Sequence, residues 1–112
     1  MIKSTLSLIG ASAILALASI APAHAAPDAD AAQALLKSDG CTKCHAVDKD
    51  KKGPSLKKIA TKFKAGGADK LAAKMTEAHK VKMEDGTEED HKVLTSKDPK
   101  AVKNLAEFIL AQ

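Results

Sequence analysis

The chain offers too little large apolar surface to build a domain by itself. Residues 1–25 read as a cleaved export signal. Lys3 gives a basic start, an apolar run covers Leu6 to Ile20, and Ala23-His24-Ala25 has the small-x-small pattern of a cleavage site. That leaves residues 26–112 as the mature chain, with Phe63 and Phe108 as its two aromatic residues and large aliphatics few and scattered. A domain of this size is marginal unless a disulfide, a metal or a cofactor staples it. The composition therefore asks for a large apolar body at the centre of the fold.

The only two cysteines sit in the run Ser38-Asp39-Gly40-Cys41-Thr42-Lys43-Cys44-His45. A disulfide between them would close a tiny loop and add little stability. Three other uses remain. A redox dithiol of the thioredoxin kind needs C-x-x-C beside a βαβ pattern, and no strand is evident here. A zinc site needs four ligands, for which Cys41, Cys44 and two of His45, His79 and His91 would serve. The third use is covalent haem. C-x-x-C-H places two thiols on one tight turn, where they add across the porphyrin vinyl groups, and the adjacent histidine becomes the proximal iron ligand. Export agrees with haem c, and a haem is the apolar body the composition lacks.

The rest of the chain reads as helices. Ala31–Ser38 carries Ala32, Leu35 and Leu36 on one face, after a cap at Asp28 or Asp30, and Gly40 ends it. A lysine-rich loop follows over 46–53. Pro54 suits the first turn of the next helix, whose stripe is Leu56, Ile59, Ala60 and Phe63. Gly66-Gly67 stops it. Asp69 caps a third helix to about Ala78, with Leu71, Met75 and Ala78 inward. Residues 79–97 lack a helical period and contain a turn at Asp85-Gly86. Asp98-Pro99 opens a last helix striped with Val102, Leu105, Ala106 and Ile109, with Phe108 beside them. The expected fold class is all-α, about four helices around one covalent haem, as a single domain over 26–112.

Three stretches, "QALLKSDGCTKCHAV", "KKGPSLKKIATKFKAG" and "VKNLAEFILAQ", resemble the small class I cytochromes c of bacteria, and the likeness runs the length of the mature chain. The resemblance implies that Pro54 accepts the Nδ1–H of the proximal His45, fixing its ring and raising its basicity. It also implies that the first and last helices cross, with Leu35 or Leu36 against Phe108 or Ile109. The family supplies a methionine as the second axial ligand on the loop before the last helix, usually followed by proline. This sequence departs from that pattern. Met83 falls early, sixteen residues before Pro99 (99 − 83), and Met75 lies on a helical stripe. His91, eight residues before Pro99 (99 − 91), stands about where the ligand is due, with Glu88, Glu89 or Asp90 available to take its second ring N–H. His91 is the preferred distal ligand; Met83 is the alternative, then Met75 or His79. A second imidazole, and acids beside it, favour ferric iron and a lower potential.

The resemblance implies a periplasmic one-electron carrier, monomeric and without a membrane span after cleavage. A gas-binding or sensing haem protein with a displaceable sixth ligand is the alternative reading, and a haem-free zinc module is a weaker one. Without Lys3, 17 lysines face 14 acidic residues and there is no arginine. Lysines 43, 49, 51, 52, 57 and 58 would offer redox partner proteins with acidic docking surfaces a positive face. The absence of Arg, Tyr and Trp argues against nucleic acid. No nucleophile–base pair or carboxylate dyad points to an enzyme.

Overall fold

The computed structural model describes residues 26–112; the export signal and its cleavage site lie outside the described residues. The elements run α1 Ala29–Ser38, a 3₁₀ turn Cys41–Lys43, α2 Leu56–Phe63, α3 Gly67–Thr76, β1 Lys80–Lys82, β2 Glu88–Asp90 and α4 Pro99–Leu110. The four expected helices are present, with α4 at the centre packing on α1, α2 and α3.

Local chemistry sets each helix. Asp28, not Asp30, caps α1, accepting from the Ala31 N–H at 3.0 Å. Its backbone also locks α1 to α4. The Asp28 N–H donates to Asn104 Oδ1 at 2.7 Å, and Asn104 Nδ2 returns a bond to the Asp28 carbonyl at 2.9 Å. Gly40, at φ 73°, makes the left-handed turn that leads from α1 into the cysteine turn. Ser55 caps α2, so Pro54 stands before that helix and not in its first turn. Asp98 caps α4 with Pro99 in the first turn.

The third helix begins earlier than the sequence predicts. Gly67 adopts φ 70° and starts it, which puts Asp69 in the first turn, where its charge suits the helix N-terminus. It also ends earlier, at Thr76, so Ala78 lies beyond it and is exposed instead of inward.

The core is the stripe of α4 (Val102, Leu105, Ala106, Phe108, Ile109) against Leu36 of α1, Leu56 of α2 and Leu71 of α3. Leu105 and Ala106 are fully buried. Leu36 joins Phe108 and Ile109 in that core, while Leu35 packs on it from a half-buried position, as the expected α1–α4 crossing requires.

The segment 79–97 is not wholly irregular. Asp85-Gly86 turns a two-stranded antiparallel hairpin, Lys80 opposite Asp90, Val81 opposite Glu89 and Lys82 opposite Glu88. Two straps then fix the chain that follows it. The Leu94 N–H donates to the Met75 carbonyl at 3.0 Å, and Asp39, 3 % exposed, accepts from the Thr95 N–H at 2.9 Å and the Thr95 hydroxyl at 2.6 Å. Those two bonds hold the Asp39 carboxyl below the usual aspartate range.

Candidate functional site

Between the cysteine turn, α2, α3 and the hairpin lies a cavity of about 450 Å³, within the ordinary size range for a cofactor site. Its walls are apolar, built from Leu36, Leu56, Ile59, Phe63, Leu71 and Ile109. Cys41 and three imidazoles, those of His45, His79 and His91, also line it. These walls include the α2 stripe that the sequence assigns to the core: Ile59 and Phe63 are only half-buried in the protein fold.

His45 is held on one side. The loop after it folds back through the Gly53 N–H on the Cys44 carbonyl at 2.8 Å and the Leu56 N–H on the Ala46 carbonyl at 2.9 Å. Asp50 reinforces the turn, accepting from the Ser55 N–H at 2.9 Å and pairing with Lys58. The result is that the Pro54 carbonyl lies 2.6 Å from His45 Nδ1. With Nδ1 donating there, Nε2 is the free nitrogen, the tautomer of a metal-binding imidazole.

His91 approaches from the hairpin side. Its ring centre is 6.1 Å from that of His45, with the planes at 43°. Two metal–imidazole bonds of about 2 Å, with roughly 1 Å from each nitrogen to its ring centre, span about 6 Å. The gap therefore matches one metal ion held from both sides. His91 Nδ1 lies 2.9 Å from the Lys92 carbonyl, so its second-ring partner is a backbone carbonyl and not Glu88, Glu89 or Asp90. Those three acids are exposed on the strand, and Asp90 pairs with Lys80 at 3.3 Å. Burial pushes the His91 imidazole below its ordinary pKa, which keeps it neutral, the form that binds metals.

The other candidates fall into two groups. Met75 lines the cavity and His79 lines it too, its ring stacked on His91 at 4.7 Å. Met83 is in the hairpin turn, its N–H on the Thr87 carbonyl at 2.7 Å, and is not part of the cavity wall. The sequence ranks Met83 ahead of Met75 by loop position; the fold puts Met75 at the cavity.

The cysteines form no disulfide. Burial, reinforced by the Asp39 charge, pushes the Cys41 thiol up, the opposite of a reactive dithiol. Among the described residues no three His, Cys, Asp or Glu side chains gather tightly enough to hold a metal ion, so the geometry lends no support to a zinc module. What the residues do fit is a large planar apolar group with a central metal: the Cys41 thiol in the wall, with Cys44 one turn on and outside it, an apolar lining, and two imidazoles with ring centres 6.1 Å apart.

This cradle defines a covalent-haem protein of all-α architecture. The cytochrome c family profile matches residues 29–112. The crystal structure of the class 1 cytochrome MtoD from Sideroxydans lithotrophicus ES-1 superposes with a TM-score of 0.72 at 47 % identity, covering 77 % of this chain and 97 % of that one. Wild-type cytochrome c552 of Nitrosomonas europaea gives 0.57 at 27 % identity over 70 % of this chain and 96 % of that one. Cytochrome c-551 of Azotobacter vinelandii is 51 % identical over 43 residues, which are 37 % of this chain and 52 % of that protein, so this match spans about half of the curated relative. The chain belongs to the cytochrome c family, in its small class I, monohaem form. Its cofactor is one c-type haem, for which Cys41 and Cys44 are the attachment pair.

Proposed function

We propose that this cytochrome is a periplasmic carrier of single electrons between redox partner proteins, with its haem iron held by His45 and His91. The observation that carries the ligand assignment is the 6.1 Å separation of the two rings across an apolar cavity, each with Nδ1 beside a backbone carbonyl. The haem supplies a one-electron ferric–ferrous couple. The chain supplies the rest. Cys41 and Cys44 tether the cofactor edge, Pro54 orients His45, Lys92 orients His91, and the apolar wall excludes water. An electron enters and leaves without a bond being made or a proton being consumed, so no catalytic group is required and none is assigned.

Periplasmic placement follows from the export pattern of residues 1–25 and from attachment of haem c outside the cytoplasm. Among the described residues no helix is long and apolar enough to cross a membrane.

Partner docking is assigned to lysines that line the cavity, Lys62, Lys74, Lys82 and Lys92; Lys80 lines it too but is paired with Asp90. Several of the lysines nearest the haem motif in sequence already have partners: Lys57 pairs with Asp48 at 2.5 Å, Lys58 with Asp50, and Lys51 donates to the Thr42 carbonyl at 2.7 Å. An acidic partner is steered to the cavity mouth rather than to that turn.

The test is the absorption spectrum of the holoprotein matured in a haem-attaching host, ferric and ferrous. The expected result is low-spin iron without the far-red thioether-to-iron charge-transfer band, and a potential below that of His/Met cytochromes. A clear thioether band would overturn His91 and leave Met75, the methionine at the cavity, as ligand.

A further inference from the structure

His79 lines the same cavity as His45 and His91. We propose that His79 is a reserve iron ligand, which takes the distal position whenever His91 leaves it; this rests on the assignment of His91 as the resident ligand.

The hairpin places the two side by side. Its register, Lys80 opposite Asp90, extends by one step to His79 opposite His91, and the His91 N–H donates to the His79 carbonyl at 2.8 Å. Their rings stack with centres 4.7 Å apart and planes 17° apart. A cross-strand pair on one face of a ribbon shares its surroundings, so what His91 faces, His79 borders.

The chemistry of the two rings matches as well. His79 Nδ1 lies 3.0 Å from the Glu77 carbonyl, as His91 Nδ1 lies 2.9 Å from that of Lys92. Donating there, both rings keep Nε2 uncommitted, the tautomer that His45 takes against Pro54. The exchange replaces one imidazole nitrogen by another and changes no oxidation state. Other neighbours are poorer substitutes. The lysines at the cavity present ammonium groups without a free lone pair, and Met75 is fixed on a helix through packing on the core.

The motion needed is small. His79 moves by about one ring separation, and it lies in the short connection between the end of α3 and β1. The hairpin has three residue pairs, and five of its six strand residues are exposed, the kind of unit that opens locally at low cost. Beyond His91, the Leu94 and Thr95 bonds keep the following chain in place while the hairpin shifts.

The experiment compares ferric holoprotein carrying His79→Ala, His91→Ala and both substitutions, by electron paramagnetic resonance and absorption without added ligand. His79→Ala is expected to keep the wild-type spectrum. His91→Ala is expected to keep a low-spin, bis-imidazole signal, and the double variant to lose it, becoming high-spin or acquiring the thioether band. A His91→Ala protein that is already high-spin or thioether-ligated overturns the proposal. So does a double variant that stays low-spin with a nitrogen ligand, which would make a lysine the substitute. Should His91→Ala fail to mature with haem, His91→Gln is read the same way. A thioether band in the wild type refutes the His91 assignment itself and the reserve role with it, an outcome distinct from a bis-imidazole wild type whose His91→Ala variant has lost its imidazole signal.

Discussion

Gly53→Ala is expected to disable the support of His45 without replacing any proposed iron ligand. Gly53 does not have a positive φ, so its backbone would accept alanine; the constraint is space. A Cβ built there lies 2.5 Å from His45 Cε1, 2.9 Å from Nδ1 and 3.1 Å from Nε2, directly against the imidazole. Carbon contacts settle at about 3.5–4.0 Å, so the ring must recede by about 1 Å. The bond from Nδ1 to the Pro54 carbonyl is 2.6 Å long now. A retreat of that size away from the carbonyl takes it beyond the roughly 3.2 Å limit of a good hydrogen bond. Two effects should follow together. Overpacking of this kind costs about 1–3 kcal/mol, and in a domain this small each kcal/mol lowers the melting temperature by about 4–8 °C. As the proposed proximal ligand, His45 also loses basicity and orientation, which raises the reduction potential. Thermal unfolding and potentiometric titration of the holoprotein read the two effects separately. A variant with wild-type melting and wild-type potential would refute the argument, because the ring could then yield without losing Pro54.

Thr95→Val removes the hydroxyl that donates to Asp39 at 2.6 Å and should cost about 1.5–3 kcal/mol at neutral pH, the usual range for a hydrogen bond to a charged group. Asp39 has a lowered native pKa, so its contribution is complete above the unfolded aspartate value near 3.9 and disappears as pH falls through the native value. Denaturation curves of the two proteins should therefore converge at acid pH, and a gap independent of pH would assign the loss to something else. Lys62→Glu with Lys74→Glu should slow electron transfer with an acidic partner several-fold at low salt, with the difference shrinking as ionic strength rises and the Debye length falls to about 10 Å at 0.1 M. Stopped-flow rates across a salt series check this, and equal rates at low salt would remove the cavity-mouth lysines from docking.

The helices were legible because their signals are local. Asp98-Pro99 announces α4, and the stripes of α2 and α4 name the faces that turn inward. The hairpin was not, because its strands are Lys-Val-Lys and Glu-Glu-Asp, with no apolar alternation to mark them. Its one signal, the turn at Asp85-Gly86, was visible, and counting six residues outward from Asp85 on either side (85 − 79 and 91 − 85) would have paired His79 with His91. The Asp39–Thr95 strap left no trace, since 56 residues separate two ordinary polar side chains and only the fold joins them. The carboxylates beside His91 misled for a related reason. Proximity in sequence suggested a partner for its ring, but all three acids are exposed, and the acceptor beside Nδ1 is the Lys92 carbonyl.

How the distal ligand is held bears on carrier against sensor. A sensor needs a sixth ligand that leaves and an open position once it has gone. Here the chain just after His91 is fastened twice, by Leu94 to α3 and by Thr95 to the end of α1, beside the cysteine turn. Asp39, the anchor of the second strap, is two residues from Cys41, so the segment that follows His91, the proposed distal ligand, is tied to the segment carrying the haem attachment. The Pro54 contact fixes the opposite side through the same turn. Whatever freedom remains belongs to the three-pair hairpin, and the group that freedom brings forward is another imidazole. A vacancy at the iron is thus opposed twice, first by the straps that keep His91 in place and then by His79 beside it. With His91 as the proposed ligand, such an arrangement would favour a six-coordinate iron, which serves electron transfer and works against capture of a gas.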